Sequence, residues 1–454
     1  MLGPRRAGEG HLCRHRPGRR AWPAHRGPER QLLGRRLRPA RRQGPPPATA
    51  RLRRRPPCRE RRRAPAQEAA PVHHLRRDRH AAAAAPHPLP DRGPSTSPTR
   101  RSSSARRVSC PSPTTSTPAS PAWAACEESL ASTTQLYNPQ THAWSPKLLA
   151  ALDLPGTLLP RLVPSGTAIG PVVDELRKHP ALVNARVVAT CSHAKAAAIA
   201  AIPARPEQQW AYLHSDTRSQ FGVELASPIL SSQACDDGFT NEVGLGGSIH
   251  FVKNSVGLGL VAQCRRAWAA IGQNYSTEQL ARLATEAGPA RAHLAPEDPR
   301  FEAPSNILDT IAGYCRETGQ PVPHEPGQFV RMILESLALA HGETLRRLEA
   351  LTAREMEVLH IIGPGARNEL LNQLTADATG LPVIAGPTDA SPIGNVLIQA
   401  LALWHLKSPD HLRSIVSSSF PTGILKPAAG FEKKTREHFH ALCERVRAPH
   451  AAAA

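Results

Sequence analysis

The stretch Leu359–Gln373, LHIIGPGARNELLNQ, constrains the fold more than any other part of the chain. Leu359 to Ile362 is an unbroken apolar run closed by turn residues, the pattern of a strand buried on both faces. Gly363 and Gly365 supply a tight turn. The spacing of Leu370, Leu371 and Leu374 then predicts a helix that opens near Asn368 and stops at Gly380 in C-cap position. A strand that turns on glycines into a helix brings backbone N–H groups, and the positive end of a helix dipole, against whatever fills the crevice. That geometry suits a nucleotide phosphate. Glycine used only for close packing is the plainer account of the same residues.

Strand and helix alternate on either side of this corner. RVVATC (Arg186–Cys191) reads as a short strand running into the alanine-rich helix of SHAKAAAIAAI, and Trp210–Ser215 with Gln220–Leu225 reads as a hairpin around Asp216–Arg218. The segment EESLAS reads as polar strand or turn, followed by a short helix over Pro146–Leu152 and by extended pieces across 155–173. Helices are expected through Leu258, Val261 and Trp268, and near 277–287, 305–317 and 327–351. In the last of these Phe329, Ile333 and Leu337, with Leu345 and Leu348 beyond, form a core-facing stripe. A second strand, Pro382–Ala385, leads through GPTDASPIGN into a helix to about Trp404. The class is α/β.

The first 120 residues obey a different rule. Residues 1–110 hold 29 Arg and no Lys against 6 acidic residues, a surplus of +23 in a chain whose net charge is +20, so the remainder is slightly acidic. Trp22 is the only aromatic residue in the first 120 positions, and no period of 2 or 3.6 is visible there. Such a segment buries too little apolar surface to offset the entropy of ordering its backbone, so residues 1–120 are expected to be disordered. Clusters such as Arg53–Arg55 and Arg61–Arg63 offer phosphate contacts to nucleic acid or an anionic membrane, although a solvated coil is the plainer account of them. Arginine without lysine, mixed with Pro, Ala and Gly, is also what a GC-rich gene yields out of frame. The change to ordinary composition near Cys126 is abrupt and favours that reading.

The nine cysteines show no CxxC pairing and no metal spacing, and read as reduced thiols. No apolar run reaches eighteen residues and the N-terminus lacks the apolar core of a secretory signal, so the expected location is cytoplasmic, without a membrane partner.

Taken in order, several stretches resemble the sugar kinases of the FGGY family, and within it the rhamnulokinase branch. They are EESLASTTQLYN (Glu127–Asn138), SHAKAAAI (Ser192–Ile199), FTNEVG (Phe239–Gly244), VKNSVGLGLVAQCRRAW (Val252–Trp268), APEDPRFEAP (Ala295–Pro304), CRETGQPVP (Cys315–Pro323), ESLALA (Glu335–Ala340), LHIIGPGARNELLNQLTAD (Leu359–Asp377) and AGPTDASPIGN (Ala385–Asn395). The resemblance implies an actin-like, ribonuclease H-like fold of two lobes. ATP and Mg²⁺ lie in its cleft, and the hydroxyl of L-rhamnulose or a related ketose attacks the γ-phosphate while a carboxylate accepts its proton. It divides the chain into the leader 1–120, a remnant of the N-terminal lobe over 121–204, a largely complete C-terminal lobe over 205–425, and a helix and tail over 426–454.

Carried over residue by residue, the resemblance gives a mixed set. The family's general base is the aspartate of a Ser-His-Asp-Thr turn, which here reads Ser192-His193-Ala194-Lys195, so no catalytic carboxylate is intact and Ala194 holds its place. His193 and Asn254 match sugar-binding positions. A Gly-Thr-Trp phosphate turn appears as Asp216-Thr217-Arg218, keeping Thr217 for ATP but setting a carboxylate where glycine would let a polyanion approach. The family's glutamine on the helix after VKN falls on Ala262, with Gln263 turned roughly 100° away. Three successive glycines appear as Gly363-Pro364-Gly365, one N–H fewer, with Gly363, Gly365 and Asn368 assigned to ATP. No protein-held metal site is expected. The Asp-x-Gly strand and Ser-Ser-Gly-Arg turn that open the family's N-terminal lobe have no counterpart in residues 1–120, and their loss leaves the strand at Arg186 with an unpaired edge. The expected chain is therefore an ATP-dependent sugar kinase by kinship, impaired or inactive as a catalyst. A dead nucleotide- or sugar-binding remnant and a basic-tailed nucleic-acid binder are the alternatives.

Overall fold

In the computed structural model, residues 125–428 and 430–451 are described. The readings of residues 1–120, as leader or as nucleic-acid-binding tail, lie outside them. From Ala125 the chain forms β1 (Ala125–Glu127), α1 (Glu128–Ser132), β2 (Tyr137–Asn138), β3 (Ala143–Trp144), α2 (Pro146–Ala151), β4 (Arg161–Val163), β5 (Thr167–Pro171), α3 (Asp174–Arg177), β6 (Arg186–Ala189) and α4 (Ala194–Ala200). Pairing is sparse here. β1 lies parallel to β4, and β5 antiparallel to β6, each pair a two-stranded sheet. EESLAS is helical rather than strand or turn because the Glu127 carboxylate caps it, accepting from the N–H of Ser129 at 2.8 Å and of Leu130 at 3.3 Å. The strand expected over Arg186–Cys191 ends at Ala189, and among the described residues its second edge carries no partner.

The rest of the chain builds one larger sheet. β7 (Trp210–His214) and β8 (Arg218–Leu225) form the expected hairpin; α5 (Ser232–Asp236) leads to β9 (Phe239–Val243) and β10 (Ile249–Val256). Four helices come next, α6 (Gly259–Ala270), α7 (Thr277–Glu286), α8 (Ile307–Glu317) and α9 (Pro326–Thr352). Then come β11 (Val358–Ile362), α10 (Glu369–Thr379), β12 (Val383–Ala385), α11 (Ala390–Ala402), α12 (Pro409–Ser419), β13 (Gly423–Leu425) and α13 (Lys433–Ala451). The seven strands from β7 onward lie in the order β13-β12-β11-β7-β8-β10-β9, with β12, β11 and β7 parallel and the others antiparallel to their neighbours.

The period of two sorts the core. Ala211 and Leu213 of β7, with Phe221, Phe251, Leu359 and Ile361, face Leu345 and Leu348 of α9 and Ala376 of α10. Tyr212, Val252 and Ile362 point the other way, onto α4, α11 and α12. A third cluster is helical: the stripe Phe329, Ile333 and Leu337 of α9 packs with Trp268, Leu280 and Ile311. No helix among the described residues is long and apolar enough to cross a membrane.

The run of alanines in α4 has a purpose in this packing. Small side chains let α11 come so close that a Cβ on Gly394 would stand 1.8 Å from the Ala197 carbonyl oxygen. Gly394→Ala is therefore expected to force α11 away from α4 and to lower stability by about 1–3 kcal/mol, read from urea unfolding. Acid provides a second test. Burial holds His250, His341 and His360 at about 4, below the ordinary 6.5. The folded state keeps them neutral while the unfolded chain takes up protons between those values. Stability is thus full above pH 6.5 and falls as the pH drops toward 4, by about 1.4 kcal/mol per pH unit for each imidazole. Equilibrium unfolding between pH 4 and 7 measures that slope.

Candidate functional site

The turn between β6 and α4 is held from below by one carboxylate. Glu127 is fully buried. Besides the two N–H groups of α1 it accepts from the Ser129 hydroxyl at 2.5 Å, from the Ser165 hydroxyl, and from the Ser192 N–H at 2.9 Å. The His193 N–H donates in turn to the Ser129 hydroxyl at 3.1 Å. β1, the loop after β4 and the Ser192-His193 turn are thereby tied to a single point.

The side chains of that turn meet the sheet. Lys195 Nζ donates to Asn254 Oδ1 at 3.1 Å, and Gln220 Nε2 donates to the same oxygen at 3.3 Å. Gln220 Nε2 also reaches both carboxylate oxygens of Glu242, at 3.1 and 3.2 Å. His193 Nδ1 stands 3.4 Å from Glu242 Oε2. Burial holds the His193 imidazole below its usual value, with Glu242 opposing and Lys195 adding to the effect; burial likewise lowers Lys195. His193 and Asn254, both expected from the sequence, are thus brought into one cluster. Gln220 and Glu242 were missed. The hairpin register contains the missing signal, because Gln220 pairs directly with Asn254 across β8 and β10.

Thr217 lies on the β7–β8 turn with its side chain exposed. The turn is stitched to the start of α6, where the Leu258 N–H donates to the Asp216 carbonyl at 2.9 Å and the Gly259 N–H to the Thr217 carbonyl at 3.0 Å. Asp216 Oδ1 accepts the Thr217 N–H at 2.6 Å, so that donor is taken. Gln263, off the position that Ala262 fills, donates to the Phe301 carbonyl at 3.3 Å.

The glycine corner departs from expectation. Gly363 has φ 85°, which requires glycine, and a Cβ on Gly365 would meet Ser215 Oγ at 2.1 Å. Both glycines are buried. Their N–H groups donate to the carbonyls of Pro387 at 3.3 Å and Ser215 at 2.9 Å, and those of Ala366 and Asn368 bond within the turn. The Asn368 side chain caps α10 through the Leu371 N–H at 3.0 Å. The corner is accordingly not the bare row of N–H donors that the sequence suggested. Its glycines let the turn dock on the end of β7.

Ala194 is exposed and lines a cavity of 510 Å³ between α4 and α11, together with Thr190, Ser192, Asn395 and Gln399. Neither Asn254, Thr217 nor Gly365 borders that cavity. Among the described residues no group of three or more His, Cys, Asp or Glu is arranged to hold a metal ion.

Sequence comparison decides the kinship. The C-terminal domain of the FGGY family of carbohydrate kinases matches residues 211–403, and its N-terminal domain matches residues 123–200. The chain belongs to the FGGY family. It is 40% identical over 301 residues to the rhamnulokinase of Bacteroides thetaiotaomicron, covering 66% of this chain and 61% of that protein. Against the rhamnulokinase of Enterococcus faecalis it is 36% identical over 324 residues, 71% of this chain and 65% of that one. The chain thus spans less than two thirds of the length of these curated relatives. Among solved structures it resembles a xylulose kinase from Lactobacillus acidophilus (TM-score 0.54, 14% identity, 71% of this chain and 64% of that one). It also resembles a glycerol kinase from Plasmodium falciparum (TM-score 0.54, 15% identity, 71% and 63%). At such identities the likeness shows the fold, that of the FGGY sugar kinases, which is the α/β actin-like class expected.

The Glu127 junction makes a testable demand on this FGGY chain. Glu127→Ala leaves buried donors without an acceptor and uncaps α1, and is expected to lower stability by about 3–5 kcal/mol. Faster hydrogen exchange at the Ser192 amide would show that the loss is local to the turn.

Proposed function

We propose that this chain is a rhamnulokinase-type member of its family that keeps sugar and nucleotide binding and has lost most or all of the transfer step. The sugar is L-rhamnulose or a related ketose, met by Asn254 and His193. The nucleotide is ATP, met by the exposed Thr217 hydroxyl and, at the glycine corner, by the partly exposed Asn368 rather than by buried Gly363 and Gly365.

One observation supports the impairment. The exposed first residue of α4 is Ala194, which accepts no proton, and the two carboxylates at the turn are already occupied: Glu127 accepts from the Ser192 N–H and four further donors, and Glu242 is buried and bonded through both oxygens to Gln220. Transfer from ATP to a hydroxyl needs an acceptor for the hydroxyl proton within hydrogen-bond reach of it. Lys195, protonated at neutral pH, cannot serve as one. Loss of a general base alone lowers a rate by about 10²–10⁴.

A coupled assay of the purified chain with ATP, Mg²⁺ and L-rhamnulose is expected to give turnover at background, while titration calorimetry with ATP or the ketose gives a binding isotherm. Turnover close to that of an intact relative would overturn the assignment of Ala194 to the base position. Absence of binding by both ligands would overturn the reading as a whole.

A further inference from the structure

We propose that the Lys195–Asn254 cluster selects a sugar carrying an anionic group, a phosphate ester or a carboxylate, over the neutral sugar. This rests on the sugar-binding reading above and names the ligand class of the same site. Asn254 Oδ1, the atom that would accept a bond from a sugar hydroxyl, already accepts from both Lys195 and Gln220, at 3.1 and 3.3 Å. The groups that Lys195 and Asn254 leave to a ligand are donors, the remaining N–H bonds of the Lys195 ammonium and the exposed Asn254 amide NH₂, while the cluster's unpartnered acceptor, Gln220 Oε1, is buried. Among the described residues Lys195 has no carboxylate within 4.0 Å, and it is partly buried, so it is a cation whose hydration is reduced and whose charge is not neutralised by contact. Glu242 and Asp216 act on its charge only from beyond contact distance, and their oxygens are hydrogen-bonded to other groups. Glu242 is bonded to Gln220 and stands beside His193, Asp216 accepts the Thr217 N–H, and the Arg218 guanidinium faces Glu302 at 3.6 Å. Donors without acceptors, gathered at a partly desolvated ammonium, complement an anion.

The test is titration of the full chain with four probes: L-rhamnulose, its phosphate ester, the aldonate of the same sugar, and inorganic phosphate. The phosphate ester or the aldonate is expected to bind about tenfold or more tightly than the neutral ketose. The two arms separate phosphate from carboxylate as the preferred anion, and inorganic phosphate shows how much of the affinity the sugar supplies. Lys195→Gln is expected to remove the difference. Chemical-shift changes confined to the Lys195 side chain and the Asn254 amide on adding the anionic sugar would localise the contact in the unsubstituted chain. Equal or tighter binding of the neutral ketose would overturn the proposal and leave the sugar-kinase reading standing. A preference for the anionic sugar that survives Lys195→Gln would overturn it too. Binding of the anionic sugar through Lys195, with no affinity for ATP or neutral ketose, would uphold it and count against the kinase reading.

Discussion

A buried carboxylate that has no ion-pair partner among the described residues sets the geometry of everything around the Ser192–Lys195 turn. Transferring a charge out of water is costly unless donors replace the lost hydration. Glu127 obtains five, the N–H groups of Ser129, Leu130 and Ser192 and the hydroxyls of Ser129 and Ser165. They come from three separate parts of the chain, the farthest 65 positions from Glu127. Few backbone arrangements bring all five to one point, so satisfying the charge also fixes where β1, the β4–β5 loop and the start of α4 lie. The constraint is directional in a way that apolar packing is not.

The sheet completes the site through its alternation. In β10, Lys253 and Asn254 are neighbours in sequence and opposites in space. Lys253 is buried and donates to the Asp237 carbonyl at 2.8 Å, whereas Asn254 is exposed on the side of α4. The same parity puts His214, Gln220 and Asn254 in one cross-strand row through β7, β8 and β10. A shift of one residue in any of these pairings would turn Gln220 into the apolar core and Phe221 toward Lys195. The fully buried side chain of Phe221, stacked on His341 at 6.2 Å, is what locks that register. Packing on the α9 side of the sheet therefore decides which polar groups a ligand meets on the other.

These two halves of the structure were unequally visible in the sequence. The β11–α10 corner, the hairpin of β7 and β8 and the long α9 were legible because each is specified locally, by period, by glycine or by an apolar stripe. Asn254 and His193 were reached by resemblance, and the structure brings both together. Gln220, Glu242 and Glu127 were not reached. A polar residue inside a strand or at a helix cap looks solvated until its partners are known, and theirs lie between 2 and 65 positions away. Gly363 and Gly365 pose a different difficulty. Glycine answers both to a ligand's approach and to a neighbouring strand's, and only the position of Ser215, far away in sequence, shows which approach is made.

Fold and chemistry separate at residue 194. The turn is held by backbone: the N–H of Ser192 on Glu127 and the N–H of His193 on Ser129. Beyond it, the buried side of α4, Ala196 to Ala200, packs against α11. Neither involves the side chain of Ala194, which points into the open cavity. The identity of that side chain is consequently free to vary without disturbing the turn or the packing of α4. The residue at 194 can therefore change while every interaction that builds the turn and the cluster around Asn254 persists, so the fold by itself does not report on turnover.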